Sequence, residues 1–211
     1  KKLKVEIAGH SRGGVAAGTV VREISERFKD KKNIKINLIT LDPVPGPLHM
    51  KKDTNLDFEN QDANNHVVIY SLNVPDLHEP QKVANPSTVI ISDTNHNGVF
   101  GQRTGSEVGD TIDLYSYIYD SKEYPLSKLS ELPKGVYLCK DEWHLVRIDK
   151  SNIAECIEII NNKASESDRK KTLFDAVANR LGLRLDDVVD SSKDYRELFE
   201  KELQKIDKAK T

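Results

Sequence analysis

The chain has 211 residues, of which 37% are hydrophobic and 31% charged, enough for one sizeable domain with a heavily charged surface. Its 32 basic and 34 acidic residues give a net charge of −2, which excludes an electrostatic case for nucleic-acid binding. No apolar run approaches the ~20 residues that a membrane-spanning helix needs, so we expect no transmembrane segment.

The first strand-and-helix unit is predicted near the start of the chain. Residues 3–8 (LKVEIA) have the loose alternation of a short strand and run into Gly9. From residue 14 to residue 29, apolar side chains recur at helical spacing opposite charged ones. Residues 34–41 (IKINLITL) predict a second strand, which ends at Asp42 because a proline-rich segment follows.

Two more strands and several helices are predicted further along. The strands are residues 66–72 (HVVIYSL) and 88–92 (TVIIS), and each ends in a polar loop. A helix is expected over 107–120, one or two strands between 134 and 149, and charged amphipathic helices over 151–211, with a break at Gly182. Strands that alternate with helices predict an α/β fold with a mostly parallel sheet, which binds ligands at the carboxyl ends of its strands.

The two cysteines, Cys139 and Cys156, have no CxxC spacing and cannot form a zinc site by themselves. A disulfide between them is one possibility. We favour two buried free thiols, because a cysteine without a metal or a redox partner usually packs as a small apolar side chain.

The most informative motif is G-H-S-R-G, which follows the first predicted strand and opens the first helix. This is the context of a nucleophile elbow, in which a sharp turn exposes a serine hydroxyl above the sheet. The candidate nucleophile is Ser11. Small neighbours (Gly9, Gly13 and Gly14) would let strand and helix approach each other, and the Arg12 amide would face a developing oxyanion. The alternative is a phosphate-binding or purely structural turn.

The segment GHSRGGVAAG followed by ITLDPVPGP resembles the serine-to-aspartate region of α/β-hydrolase lipases, in particular pancreatic-type lipases with a GHSxG elbow and a later LDP. The Arg after the serine is similar to that of bacterial effector-type phospholipases with a GxSRG elbow. The resemblance covers about residues 3–101 and is most specific at Ser11 and Asp42. It implies the central and C-terminal strands of an α/β-hydrolase sheet and a Ser-His-Asp triad.

The resemblance makes Asp42 the triad acid, because this residue ends the strand after the nucleophile strand. A carboxylate at a strand end is able to accept a hydrogen bond from a histidine and to stabilise the imidazolium. Asp76, after the third predicted strand, is the alternative acid. An Asp before a proline is also common as a turn residue, so a purely structural Asp42 stays open.

The candidate base is His96, in the polar loop after the fourth predicted strand, where the order Ser, Asp, His places it. The alternative base is His144, and the remaining possibility is a surface histidine. Residues 93–98 (DTNHNG) also match the first half of a calcium-binding loop. The bidentate Glu that such a loop needs is replaced by Thr104, so we expect no metal site.

The sequence therefore predicts a serine esterase or lipase that hydrolyses a carboxylic ester, with a lipid or phospholipid as the favoured substrate and no cofactor. Two alternatives stay open. The first is a catalytically inactive hydrolase fold that serves as a protein-interaction module. The second is an acyltransferase that uses the same Ser11, Asp42 and His96.

The predicted organisation is the C-terminal part of an α/β-hydrolase-like domain over 1–150, followed by a charged helical extension over 151–211. An elbow strand belongs in the middle of such a sheet, so we expect an N-terminal segment or a second chain to complete the fold. The Lys- and Asn-rich composition and the effector resemblance suggest a bacterial cytoplasmic protein or a secreted effector. Transient contact with a membrane surface would suit a lipid substrate.

Overall fold

The computed structural model describes the chain in several stretches separated by gaps. They are residues 2–30, 32–44, 63–73, 83, 86–95, 129–139, 145–149, 151–164, 167–182 and 204. The strands are β1 (Leu3–His10), β2 (Ile34–Leu41), β3 (Asn65–Asn73), β4 (Thr88–Asn95), β5 (Gly135–Cys139) and β6 (Leu145–Arg147). The helices are α1 (Arg12–Phe28), α2 (Ile153–Lys163) and α3 (Ser167–Leu181).

The six strands form one sheet in the order in which they occur along the chain, β1-β2-β3-β4-β5-β6. The strands β1 to β5 run parallel to one another, and β6 pairs antiparallel to β5. The prediction of an α/β fold with a mostly parallel sheet is thus confirmed. All five parallel strands end at one edge of the sheet, which we call the carboxyl edge.

Helix α1 covers the first two strands. Its buried side chains, which include Val15, Ala17 and Val21, pack against Ile36 and Leu38 of β2. A stripe of this kind is what the spacing of apolar residues predicts for an amphipathic helix on a sheet. The helix begins at residue 12, two positions before the predicted start.

Helices α2 and α3 cover the strands β3 to β5. Their buried side chains, among them Cys156, Ile160 and Phe174, share one core cluster with Val68 and Val89 of the sheet. The parallel register pairs Val68 with Thr40, whose side chain lies on the same face as Ile36 and Leu38. All three described helices therefore lie on one face of the sheet, and the buried residues of α2 and α3 belong to the same core as the strands.

The opposite face carries a second apolar layer. Strand residues such as Ile39, Ile69 and Tyr137 pack there against Leu129, and Cys139 belongs to the same layer. Cys139 and Cys156 are both buried and free, which confirms the expectation of two buried thiols. The two sulfurs lie in apolar layers on opposite faces of the sheet.

The helical C-terminal region contains one break that the sequence predicts and one that it does not. Helix α3 ends at Leu181, and Gly182 follows with a φ of 72°, a conformation that glycine adopts readily. A second break separates α2 from α3, where Ala164 has an extended backbone. None of the described helices is both long and apolar enough to cross a bilayer.

The strand that carries the elbow lies at the side of the sheet. Among the described strands, β1 pairs with β2 alone, and Leu3 is 54% exposed. An unpaired strand edge of this kind readily accepts another strand. The expectation of a further segment or chain beside β1 stays a prediction.

The buried histidine of β3 makes the stability of the fold depend on pH. His66 is 7% exposed, and its imidazole Nε2 lies 3.0 Å from the hydroxyl oxygen of Thr40. Burial disfavours the imidazolium and lowers the pKa of His66 to about 4. Below the ordinary pKa of 6.5 the unfolded chain therefore takes up a proton that the folded chain does not.

We predict that His66 contributes a loss of unfolding free energy as the pH falls from 6.5 towards 4, with a slope of at most about 1.4 kcal/mol per pH unit. The variant His66→Gln keeps a hydrogen-bonding side chain but has no imidazole to protonate. Urea denaturation of both proteins between pH 7.5 and 4.5 measures the effect as the difference between the two stability profiles. Parallel profiles would contradict the prediction.

Candidate active site

The residue that joins β1 to α1 has an unusual backbone conformation. Ser11 has a φ of 54° and a ψ of −126°, a combination that residues other than glycine rarely adopt. Strain of this kind costs about 1–3 kcal/mol and persists where the surrounding structure enforces it, most often at functional sites. The geometry is that of a sharp strand-to-helix elbow with Ser11 at its apex.

Backbone hydrogen bonds hold this conformation on both sides. The Ser11 amide donates to the Leu41 carbonyl at 2.9 Å, which ties the elbow to the end of β2. The Ser11 carbonyl accepts from the Gly14 amide at 3.0 Å and from the Val44 amide at 3.3 Å. Both backbone polar groups of the strained residue are thus satisfied, and the elbow is fixed to the segment that contains Asp42.

The three elbow glycines differ in how closely their neighbours approach. A Cβ on Gly9 would lie 2.1 Å from the Gly13 carbonyl oxygen, a distance at which no side chain fits. A Cβ on Gly14 would lie 3.1 Å from the Gly9 carbonyl oxygen and 3.2 Å from Pro43 Cβ. These Gly14 contacts are tight, and a methyl group would need its neighbours to move by a few tenths of an ångström. At Gly13 a Cβ would meet no atom within 4 Å, so the expected steric need for glycine holds at position 9 and is absent at 13.

The start of α1 suits the stabilisation of an anion. Ser11 occupies the N-cap position but makes no side-chain capping hydrogen bond, although serine is among the preferred capping residues. The first turn contains no acidic residue, so no carboxylate offsets the partial positive charge of the helix end. The backbone amide of Arg12 belongs to this turn, and the Arg12 side chain is exposed. The first amides of a helix lack intrahelical acceptors, so this end of α1 favours an anion.

Asp42 directly follows β2 and is completely buried. Its Oδ1 accepts a hydrogen bond from the Ser71 amide at 3.1 Å and one from the Arg169 guanidinium at 2.6 Å. Its Oδ2 is 3.4 Å from the second terminal nitrogen of Arg169. The carboxylate therefore lies between the end of β3 and the start of α3, in a fixed orientation.

The backbone of Asp42 is strained as well. Its φ is 39°, and Ser11 and Asp42 are the two non-glycine residues of the described chain with a positive φ. The Asp42 amide donates to the Ile69 carbonyl at 2.7 Å, and the Val44 amide reaches Ser11. The two strained residues thus follow neighbouring parallel strands and are linked through the backbone at the carboxyl edge.

The candidate bases and the alternative acid lie outside the described residues: His96, His144 and Asp76. The strands that precede two of them are described. Strand β3 ends at Asn73, three positions before Asp76, and β4 ends at Asn95, one position before His96. Both strands end at the carboxyl edge, where β3 is the neighbour of β2 and β4 is the neighbour of β3. The proton-transfer geometry of the site stays a prediction.

Arg169 is the residue of this region that sequence analysis did not identify. It lies in α3 and is completely buried, and its guanidinium also donates to the Ser71 carbonyl at 2.9 Å. A local signal was present: Arg169, Leu173 and Val177 follow one another at intervals of four, which places a charge on the apolar stripe of the helix. Such a charge needs a buried partner, but the sequence does not show which one.

A second polar cluster lies in the amino-terminal half of the sheet. The Asn37 side-chain amide donates to Glu6 at 3.4 Å and to Ser130 at 3.2 Å, and Asn65 donates to the Ser130 carbonyl at 3.1 Å. These groups satisfy one another, and the backbone there is unstrained. Among the described residues, no three His, Cys, Asp or Glu side chains are grouped in a way that would hold a metal ion.

Comparison of the chain with protein-family models, with curated proteins and with solved structures gave no match. The features of this chain that bear on its function are therefore the geometry of the elbow, of Asp42 and of the carboxyl edge.

The contacts at the elbow predict opposite effects for two alanine substitutions. In Gly9→Ala the new methyl group collides with backbone atoms, and we expect a loss of stability of about 3 kcal/mol or more. In Gly13→Ala the methyl group meets open space in the first turn of α1, and stability should be unchanged or higher by up to about 1 kcal/mol. Thermal and urea denaturation of both variants measure the difference. Equal stabilities would contradict the elbow geometry.

Proposed function

We propose that this chain is a serine hydrolase that cleaves a carboxylic ester, with Ser11 as the nucleophile. The observation that carries the proposal is the strained backbone of Ser11 at the junction of a parallel strand and a helix. Strain is costly, and a structural loop would relieve it with a glycine or a different turn. A nucleophilic serine must present its hydroxyl above the sheet, and this requirement is a reason to retain the strained conformation.

In the proposed mechanism, His96 accepts the proton of the Ser11 hydroxyl as the serine oxygen attacks the acyl carbon. The negative charge of the tetrahedral intermediate falls on the former carbonyl oxygen, which the Arg12 amide stabilises. His96 then gives its proton to the leaving alcohol, and an acyl-enzyme remains. Water, deprotonated by His96, attacks this ester and releases the carboxylic acid and free Ser11. Asp42 orients the imidazole of His96 throughout.

The strand order supports the assignment of these roles. Ser11, Asp42 and His96 follow β1, β2 and β4, which are parallel members of one sheet that end at the same edge. The chain order is serine, acid, histidine, as in hydrolases of the α/β type. We therefore propose that the sheet is the C-terminal part of an α/β-hydrolase-like domain.

A lipid or phospholipid ester is the substrate that we propose. The proposal follows from the resemblance of the elbow to those of lipases and effector-type phospholipases. The exposed Arg12 side chain directly after the nucleophile would suit the phosphate of a lipid headgroup. Contact with the substrate would then take place at a membrane surface.

We predict that a fluorophosphonate probe labels wild-type protein at Ser11 and that Ser11→Ala abolishes the labelling. The matched control is Ser151→Ala, which removes an exposed serine outside the elbow and should leave labelling unchanged. Intact-protein mass spectrometry and peptide mapping identify the modified residue. Folded wild-type protein that does not react would rule out the hydrolase proposal and favour an interaction module. Hydrolysis of short- and long-chain ester substrates then separates an esterase from a lipase, and analysis of the products with an added acceptor alcohol separates hydrolysis from acyl transfer.

A second prediction tests which carboxylate is the triad acid. Asp42→Asn should slow the labelling of Ser11 by about 10²- to 10⁴-fold, because the base loses its orienting carboxylate. Asp76→Asn should label at close to the wild-type rate. Because Asp42→Asn also leaves Arg169 without its buried counter-charge, rates are compared per folded molecule, as determined by circular dichroism. The opposite pattern would assign the acid to Asp76.

A further inference from the structure

We infer that the free edge of β1 is a dimerisation surface, on which β1 of a second copy of this chain pairs antiparallel with Val5 on the two-fold axis. The surface is independent of the proposed function, since it contains neither Ser11 nor Asp42. A second copy would be the further chain that the sequence leads us to expect beside β1. Three features point to it: the backbone direction of β1, the incomplete apolar cover on this side, and the charge pattern of the strand.

The backbone groups that face the free edge belong to Lys4, Glu6 and Ala8. The Leu3 amide donates to the Asn33 carbonyl at 2.8 Å, so the polar groups of Leu3 face β2. Successive residues of a strand direct these groups to alternate sides, and those of Lys4, Glu6 and Ala8 therefore face away from β2. No described strand pairs with them there. A row of such donors and acceptors is a template for another strand.

The apolar layer beneath α1 is incomplete on the side of β1. In the parallel register Val5 lies beside Ile36 and Ile7 beside Leu38. The two β2 side chains are buried, whereas Val5 and Ile7 are only partly buried, and Leu3 on the same face is more than half exposed. The missing cover therefore lies beyond β1, where the described sheet ends.

Helix α1 has the same asymmetry. Val15 and Ile24 are nine residues apart, which places them on opposite sides of the helix. Val15 is buried, whereas Ile24 is partly buried and Val20, one turn before Ile24, is 47% exposed. Since the sheet continues past β2 and ends at β1, the exposed side of α1 is the one above the free edge. A two-fold axis perpendicular to the sheet would bring this side against its own copy.

The sequence of β1 is complementary to itself when it is reversed about Val5. Antiparallel pairing centred there places Lys4 opposite the partner's Glu6 and Leu3 opposite the partner's Ile7. Because the backbone groups of Lys4 and Glu6 face outwards, the two Lys–Glu pairs would exchange roughly four backbone hydrogen bonds. Opposite charges in such cross-strand pairs stabilise a sheet, and like charges destabilise it.

The neighbouring registers lack this complementarity. Pairing centred on Lys4 places that ammonium group opposite its own copy, and pairing centred on Glu6 does the same for the carboxylate. Within one chain Lys4 and Glu6 already form an ion pair at 3.0 Å, so the register centred on Val5 brings two such pairs together with alternating signs. An unrelated strand has no reason to match this pattern, and a second copy matches it by symmetry.

The test is the oligomeric state of the full chain and of two charge variants, measured by sedimentation equilibrium. We expect wild-type protein to dimerise. Lys4→Glu and Glu6→Lys should each raise the dissociation constant about tenfold or more, because either change puts like charges in both cross-strand pairs. An equimolar mixture of the two variants should form a heterodimer with close to wild-type affinity, since each substituted side chain then lies opposite a charge of the other sign.

The matched control is Lys171→Glu, which makes the same change in net charge at an exposed position of α3 and should dimerise as wild type does. Glu6→Lys also removes the acceptor of Asn37 and Ser130, so folding of each variant is checked by circular dichroism. A wild-type monomer would overturn the inference, as would a dimer that both charge variants leave intact.

Cysteine cross-linking tests the register and does not depend on the charge variants. In Val5→Cys the two thiols lie opposite each other across the axis, with Cα atoms about 4.5 Å apart, a distance that a disulfide spans. In Leu3→Cys the two positions are about 14 Å apart. Oxidation should therefore link Val5→Cys into a covalent dimer and leave Leu3→Cys unlinked, as measured by non-reducing electrophoresis.

The native Cys139 and Cys156 are buried, and wild-type protein gives the background. Equal cross-linking of the two variants would contradict the pairing about Val5. Fluorophosphonate labelling of Ser11 in the same wild-type samples tests the proposed function separately, so either proposal can fail while the other stands.

Discussion

The close approach of β1 and α1 is the constraint on which the rest of the site depends. The Gly13 carbonyl oxygen lies where a side chain on Gly9 would be, so the helix begins almost in contact with the strand that precedes it. A turn this tight requires Ser11 to adopt a positive φ, which costs about 1–3 kcal/mol. Three backbone hydrogen bonds, two of them to the chain at the end of β2, hold the residue there. The elbow is therefore stable only as part of the β1–β2 pair.

The same constraint extends to Asp42 and, through it, to the C-terminal helices. The segment that supplies hydrogen-bond partners to Ser11 also contains Asp42, whose own φ is positive. Arg169 binds the side chain of that residue from a position 127 residues further along the chain. A substitution of Arg169 in α3 is thus expected to change the conformation of the elbow, although α3 packs on β4 and β5. The helices α2 and α3, although their sequences are rich in charged residues, thus belong to the core that supports the carboxyl edge.

Much of the fold follows from local sequence patterns. The strands are apolar, β-branched runs that end in polar or proline-rich segments, and α1 has a regular apolar stripe, so both are recognisable without tertiary information. Gly182 marks the end of α3 because glycine readily adopts the φ that ends a helix. The elbow was predictable because its small residues and its position between strand and helix are visible in fourteen consecutive residues.

The interactions that orient the site were beyond local patterns. Asp42 was recognised as a functional candidate, but its pairing with Arg169 joins residues that no periodicity relates. The open space at Gly13 could not be predicted from the sequence either, because a glycine in a motif does not show whether any neighbour would clash with a side chain there. The burial of the two free cysteines was easier to predict, since a thiol without a nearby ligand set usually packs as an apolar group.

The contrast between the two polar regions of the sheet points to the carboxyl edge as the functional one. Around Asn37 the polar side chains bond to one another with relaxed backbones, which is how a structural network lowers its cost of burial. At the carboxyl edge, Ser11 and Asp42 are strained. Burial of polar groups explains the first region completely. It does not explain why two strained residues follow adjacent strands at the carboxyl edge. The proposed roles of Ser11 as nucleophile and Asp42 as acid would explain it, because they require the two residues to keep fixed relative positions.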